Sequence, residues 1–415
     1  MMAAEGPYIA AIIARMPVAA FNLAAYGVAF SLAWLAESPI MMLLTASNTL
    51  VRDRRSFLAL RRFTYGLNAI VSATLAIGVI PPVFGFLAHQ VMGLPPEIAR
   101  LAHQATAVLI PWPAAIGYRR FYQGILVRHH LTRRVAYGTV VRLATMSATA
   151  GALAALVSLP GAVIGAFALS AGVIAEAAAS RLMAGGVVAH LLDERGPVPG
   201  TLLTIGAITR FYFPLALTSV ISLITGPLVT FFLGHSRAPI ESLAVWPVVN
   251  SFVFFFRSGG IAFQEVGVAL GGAHLEHGSE VRRVAGMLAG GASLALALVV
   301  FTPLADVWFR IVSGLSPELA SFALPAARLM VLLPALEYLM SVQRSQLILA
   351  RRTRLITTAT TIEAVGLALV LMAGVSQFGL TGAVASAIAL MAGRVAANGF
   401  LLAPSLAVTP SRRYP

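Results

Sequence analysis

Apolar residues run in long blocks along the 415-residue chain, separated by short clusters of Gly, Pro and Arg. A helix that crosses a bilayer needs about 20 predominantly apolar residues. Blocks of that length, each tolerating a few polar positions, lie at 20–50, 64–88, 102–127, 135–158, 161–191, 205–233, 241–272, 284–309, 318–349, 355–376 and 380–405. They predict eleven full transmembrane helices, with a shorter apolar piece at 6–16 ahead of them. The breaks fall where helix-ending residues gather, as at Gly93-Leu94-Pro95-Pro96 and Arg351-Arg352-Thr353-Arg354.

The pattern repeats at a constant offset of 221 residues. Gly93-Leu94-Pro95-Pro96-Glu97-Ile98-Ala99 matches Gly314-Leu315-Ser316-Pro317-Glu318-Leu319-Ala320. Arg61-Arg62 matches Arg282-Arg283, Pro82 matches Pro303, Pro113-Ala114 matches Pro334-Ala335, and Thr132-Arg133 matches Thr353-Arg354. Apolar stretches align easily by chance, but Pro, Gly and charge aligned without a gap mark an internal repeat. Six helices per unit is an even number, so both units take the same orientation in the membrane. The fold class expected is therefore an all-α polytopic membrane protein made of two parallel six-helix repeats. Its N-terminal lobe is 1–191, with a truncated helix one and helices two to six; 192–204 is an inter-lobe loop. The C-terminal lobe is 205–405, helices seven to twelve, and 406–415 is a tail. Met1 aligns with Ser222 in mid-helix, so only the second half of helix one is present. Either the assigned start is too late or the half-helix is real. The late start is favoured, because half a span leaves backbone groups unsatisfied in lipid.

Composition agrees. Hydrophobic residues make up 59% and charged residues 11%, against about 25% charged in soluble domains; mean hydropathy is +0.87. The formal charge of +14 comes from 29 basic and 15 acidic residues, and every basic residue is Arg. A nucleic-acid binder would gather that charge on one solvated face; here it sits in short loops. Sixteen loop and tail arginines (52, 54, 55, 61, 62, 128, 133, 134, 195, 282, 283, 351, 352, 354, 412 and 413) fall on one side, against Arg15, Arg100, Arg237 and Arg310 on the other. That bias places the first set, and the C-terminus, in the cytoplasm of a bacterial inner membrane. No cysteine is present, which excludes disulfides, thiolate chemistry and Cys–metal sites. Met1 to Glu5 lacks the basic region of a cleavable leader. The eight histidines lie at or near helix ends and offer no metal spacing or mid-membrane acid–base pair. No Walker motif is present, and no enzyme activity or cofactor is expected.

Candidate chemistry lies with ionisable residues inside the apolar blocks, where a charge costs several kcal/mol unless paired or hydrated. These are Glu37, Arg142, Glu176, Arg181, Arg257, Glu265, Arg328, Glu337, Arg344, Glu363 and Arg394. Arg142 aligns with Glu363, Glu37 falls within one residue of Arg257, and Glu176 within one turn of Arg394. Opposite signs at like depth would either pair across the two halves and line a shared cavity, or be locked into ion pairs within one half. Arg257, Glu37, Arg142, Arg394 and Glu176 are the candidate substrate-binding residues. Glu337, which follows Pro334, and Glu363 are the candidate coupling residues.

The stretch Leu336-Glu337-Tyr338 to Gln346-Leu347-Ile348-Leu349 and Thr353-Arg354 resembles the tenth-helix segment of the multidrug and toxic compound extrusion (MATE) transporters. Within the wider superfamily of oligosaccharide-lipid flippases, Ala25-Tyr26-Gly27-Val28-Ala29-Phe30-Ser31-Leu32, Gly124-Ile125-Leu126-Val127-Arg128-His129 and Pro214-Leu215-Ala216-Leu217 are similar to the progressive ankylosis protein family. The resemblance implies a V-shaped bundle with alternating access. The helix-one and helix-seven acids of cation-coupled members have no counterpart here, and Ala207 to Gly234 holds no acid. The expectation is thus a secondary exporter of an organic or phosphorylated anion, since guanidinium suits phosphate and carboxylate. A lipid-linked oligosaccharide flippase and a proton- or sodium-coupled cation efflux antiporter are the alternatives. The expected partners are a small anionic or lipid-linked substrate, the bilayer and a coupling H+ or Na+. No nucleic acid is expected, and the chain is expected to be a monomer.

Overall fold

Breaks in the apolar pattern become helix ends. The computed structural model describes residues 5–193, 204–270, 278–350 and 352–407. Arg195 and the core of the 192–204 loop, Gly271, Gly272, His274, His277, Arg351, Arg412 and Arg413 lie outside the described residues. The first half of the chain forms α1 (Glu5–Ala14), α2 (Ala19–Glu37), α3 (Leu43–Leu50), α4 (Arg54–Val79), α5 (Pro81–Gly85), α6 (Pro96–Val108), α7 (Trp112–Arg128), α8 (Thr132–Leu156), α9 (Gly161–Met183) and α10 (Gly185–Asp193). The second forms α11 (Ile205–Leu223), α12 (Thr225–Gly234), α13 (Pro239–Leu270), α14 (Gly278–Phe301), α15 (Leu304–Asp306), α16 (Pro317–Leu329), α17 (Leu333–Leu349), α18 (Thr353–Ser376) and α19 (Gly382–Leu406). No strand occurs among the described residues.

Local chemistry sets the ends. Asp53 caps α4 in a reciprocal box: Ser56 N donates to Asp53 Oδ1 at 2.8 Å, and Asp53 N donates to Ser56 Oγ at 3.0 Å. That backbone bond holds the Asp53 carboxyl below its ordinary range. Proline opens α5, α6, α7, α16 and α17, where its missing N–H has no helical partner to lose.

The repeat is visible in the backbone. Residues 96–108 and 317–329, and 112–128 and 333–349, are helices with identical bounds at the 221 offset. Each unit has a π-helical turn before the equivalent break, Phe86–Val91 and Val307–Val312. Each turn closes with a bond across it, Leu94 N to Ala88 O at 2.8 Å and Leu315 N to Phe309 O at 2.9 Å. The residue just before each donor is a glycine at positive φ, Gly93 at 61° and Gly314 at 72°, a conformation that glycine adopts at little cost.

Nine described helical spans are long and apolar enough to cross a membrane, or ten if α4 and the segment Pro81–Val91, bent by 73°, count as one. The sequence predicted eleven. Against ten, the 102–127 block is the difference: it covers α6 and α7, and α7 carries Arg119 and Arg120 in its middle.

Two compact units result, residues 25–227 and residues 228 onward together with the chain start through residue 24. These boundaries correct the expected division at 192–204 in two places. Helix α1 belongs with the second unit, not the 1–191 lobe. Gly6 lets it approach Ser251 of α13, since a β-carbon there would stand 2.7 Å from the serine's own. Arg15 then donates to the carbonyls of Ile311 and Val312, the latter at 2.8 Å, which the π turn leaves open. Helix α11, expected in the 205–405 lobe, belongs with the first unit. Its Tyr212 donates to Pro39 O at 2.5 Å and meets the Phe63 ring edge-on at 5.2 Å.

Small residues draw helices close inside each unit. In the first, a β-carbon on Gly117 of α7 would overlap Asn68 of α4, and one on Gly124 would stand 2.5 Å from Leu44 O of α3. Ser47 Oγ also donates to Phe121 O at 2.7 Å. In the second, a β-carbon on Gly260 of α13 would stand 3.0 Å from the Glu337 side chain of α17, and Ser341 Oγ donates to Gly260 O at 2.7 Å. Helices α8 and α18 instead leave most of their apolar windows uncovered, with 17% buried in each. Such faces are suited to lipid.

Candidate functional site

Each unit buries one charge network. In the first, Glu176 of α9 is almost fully buried and accepts from Arg119 Nη1 of α7. Gln123 Nε2 donates to its other oxygen at 3.1 Å, and Arg142 Nη1 of α8 stands 3.6 Å away. Arg120 and Glu37 lie within electrostatic reach of this cluster. In the second, Glu337 of α17 accepts from Arg394 Nη1 of α19 at 3.2 Å, and Arg257 Nε of α13 stands 3.7 Å from its Oε2. Arg394 Nη2 reaches Glu363 of α18 at 2.9 Å. Arg344 bonds Thr360 Oγ1 at 3.2 Å and lies within reach of the same two acids. Arg257 also lies 5.5 Å over the Phe254 ring, an arrangement that favours the cation.

The charges that the sequence singled out are therefore brought together, but the ion pairs described join charges of the same unit. Arg142 pairs with Glu176, while its repeat equivalent Glu363 pairs with Arg394. Arg257, which aligns within one residue of Glu37, pairs with Glu337. Other candidates have local duties. Arg328 donates to Val300 O at 3.0 Å, Arg181 lies 5.2 Å over the Tyr122 ring, and Glu265 is exposed. His89, His103, His129 and His235 bond backbone carbonyls near helix ends. No group of metal-ligating side chains occurs among the described residues.

At three equivalent helices the two networks carry reversed signs. Arg142 and Glu363 are in register, and Arg119 is displaced from the equivalent of Glu337 by three residues, one helical turn. Glu176 is displaced from the equivalent of Arg394 by the same three. Thus α7, α8 and α9 carry Arg, Arg and Glu where α17, α18 and α19 carry Glu, Glu and Arg.

Arg119 and Arg120 were not among the sequence candidates. Their signal was present, since two adjacent arginines sit eight and seven residues before the end of the 102–127 block. Counting them, each network holds three arginines against two glutamates: Arg119, Arg120 and Arg142 with Glu37 and Glu176, and Arg257, Arg344 and Arg394 with Glu337 and Glu363. Within the first network, Glu37 and Arg120 stand apart. Glu37 is 4% exposed, and its Oε2 and the Nε of Arg120 are buried without a hydrogen-bond partner. A separate cavity of about 490 Å³ lies in the second unit between α1, α13 and the π turn, lined by Tyr8, Ile12, Arg15, Phe255 and Trp308. Its one charge, Arg15, is committed to backbone carbonyls.

No protein-family model matches the chain, and no curated protein matches it in sequence. Solved structures do. An inward-facing multidrug resistance MATE family transporter of the MOP superfamily superposes at a TM-score of 0.76 with 15% identity, over 99% of this chain and 96% of that one. The lipid II flippase MurJ in an inward closed conformation gives 0.70 and 14%, over 97% and 85%. A MOP superfamily transporter from Pyrococcus furiosus, in which the reverse polarity of the binding pocket suggests a different function, gives 0.53 and 15%, over 98% and 91%. The polytopic helical fold of this chain, with its internal repeat, is the one that the MATE transporters and the MurJ flippase share.

Proposed function

We propose that the chain is a MATE-like secondary transporter that works by alternating access and exports an organic or phosphorylated anion. The observation that carries the reading is the surplus of guanidinium in both buried networks, three arginines to two glutamates in each. A buried surplus of positive charge is stabilised by an anion, and guanidinium presents a planar fork to carboxylate or phosphate. The MOP transporter of Pyrococcus furiosus offers a precedent in this fold for a pocket of altered polarity. Arg257, Arg142 and Arg394 would attract the substrate, with Arg120 added to them. Glu37 and Glu176 would balance charge beside it, and Glu337 and Glu363 would couple movement of H+ or Na+. The chain acts as a monomer in the inner membrane, its C-terminus cytoplasmic. It moves its substrate without transforming it.

The same surplus would serve a lipid-linked pyrophosphate, so flippase action is the second reading, favoured by the likeness to MurJ. The test is retention of radiolabelled citrate and pyrophosphate, against a cationic dye, in cells expressing the chain or Arg257→Ala. Anion loss blocked by Arg257→Ala is expected. Dye efflux alone, insensitive to that change, would overturn anion export. Absence of both fluxes would transfer the proposal to the flippase.

A further inference from the structure

Opposite charges buried near one another in low dielectric normally close into an ion pair, because each alone carries a desolvation penalty. The other acids of the networks follow that rule: Glu176, Glu337 and Glu363 each have at least one arginine within 3.2 Å or closer. Glu37 and Arg120 do not. Glu37 is the last residue of α2, and Arg120 lies in the middle of α7. Each lies within the other's electrostatic reach, yet neither has a hydrogen bond or ion pair among the described residues. Both are held in place by their elements. The turn after Glu37 is fixed by the Tyr212 hydroxyl on Pro39 O at 2.5 Å. Helix α7 is pinned one turn to either side of Arg120, by Gly117 against Asn68 and by Gly124 against Leu44.

We infer that Glu37 and Arg120 form a dipolar binding site for a small zwitterion, its carboxylate or phosphate on Arg120 and its ammonium on Glu37. Two unpaired groups of opposite sign, Glu37 buried and Arg120 half-buried, kept apart by their elements, are complementary to a ligand that carries the opposite signs in the same order. Arg119 and Arg142 are paired with Glu176 and so do not compete with Arg120 for the acidic group on equal terms. The ammonium distinguishes this ligand from a simple anion, whose negative charge Glu37 would repel. The inference rests on the anion-exporter reading and adds to it a preference, among acids, for those that also bear an amine. A free solute and a lipid headgroup both offer that chemistry.

The test is calorimetric binding to the purified full chain in phosphatidylglycerol nanodiscs. The probes are phosphoethanolamine, glycerol 3-phosphate, which lacks the ammonium, and ethanolamine, which lacks the phosphate. Phosphoethanolamine is expected to bind about tenfold tighter than glycerol 3-phosphate, the factor that one added ionic contact of about 1.4 kcal/mol supplies. Glu37→Gln should bring that ratio to about one without weakening glycerol 3-phosphate. Arg120→Gln should weaken both phosphates, and Arg120→Lys should restore part of the loss if the glutamine variant fails to fold. A ratio near one in the unaltered chain, or a ratio that survives Glu37→Gln, would overturn the inference, as would failure of phosphoethanolamine to bind. The citrate and pyrophosphate flux of the unaltered chain and of Arg257→Ala decides the exporter reading separately. Replacing phosphatidylglycerol by phosphatidylethanolamine distinguishes the sources: competition with phosphoethanolamine assigns the site to a lipid headgroup, and its absence to a free zwitterion.

Discussion

Glu176 and Glu37 are buried to nearly the same degree in the same unit, and the difference between them lies in their partners. Glu176 holds Arg119, Arg142 and Gln123. Removing one member of a buried ion pair strands the other charge and costs about 3–5 kcal/mol. Glu176→Gln should therefore lower the thermal unfolding midpoint of the detergent-solubilised protein by many degrees. Glu37→Gln removes a carboxylate whose Oε2 has no hydrogen bond to lose, so its cost should stay below about 1 kcal/mol. Equal losses in a melting assay would show that Glu37 is structurally paired. A buried ionisable group that contributes little to stability is better explained by function than by folding. The sequence made these residues legible as a set, because a charge in an apolar block stands out against its neighbours. It did not make the pairings legible. Arg142 and Glu363 share a register and opposite signs, but register says nothing of which neighbour each side chain faces. Arg119 and Arg120 lie inside the 102–127 block and are legible in the sequence by the same criterion.

At the scale of elements, the internal repeat was the most reliable signal in the chain. The 221 offset survives in helix bounds, in both π turns and in the positive-φ glycines. Those features depend on local backbone chemistry, which Gly and Pro encode directly. Membership of α1 and α11 in the compact units was not legible, since it depends on side-chain contacts remote in sequence, Arg15 with Ile311 and Tyr212 with Pro39. Two element-level predictions follow from packing. Gly117→Ala places a β-carbon into Asn68, so α7 must shift off α4. Overpacking of this kind typically costs about 1–3 kcal/mol, and anion flux should fall even though no charge has changed. Unaltered flux at an unaltered melting midpoint would show that α7 has slack. Asp53→Ala should cost about 1 kcal/mol by removing the α4 cap. The Asp53 carboxyl titrates below its ordinary value in the folded chain. Its contribution is thus present above the unfolded carboxyl range near pH 4 and fades as pH falls through the lower folded value. Melting curves of the wild-type and Asp53→Ala chains should accordingly differ at pH 7 and converge toward pH 3. A gap of constant size would assign the effect to something other than the cap.

For the molecule as a whole, the sign reversal between repeats separates two roles of the same charges. In one unit the order along the equivalent helices is Arg, Arg, Glu, and in the other it is Glu, Glu, Arg. Both orders close an acid–guanidinium network inside the unit, so either pattern suffices for folding. The net charge of the network is another matter. The triple exchange R119E/R142E/E176R would give the first unit the order that the second already carries. Pairing across α7, α8 and α9 would be kept, because each contact joins opposite signs before and after. With Arg120 and Glu37 unchanged, the network would pass from three arginines and two glutamates to the reverse. The expected result is a protein whose melting midpoint stays closer to wild type than that of R119E alone, and whose efflux of citrate and pyrophosphate is lost. If folding drives the choice of sign and transport does not, the triple variant should export as well as the parent. If R119E alone melts no lower than the triple variant, the ion pairs do not hold the unit together. Loss of anion flux in a folded triple variant, with R119E unstable, is the one pattern that ties stability to pairing and transport to surplus positive charge.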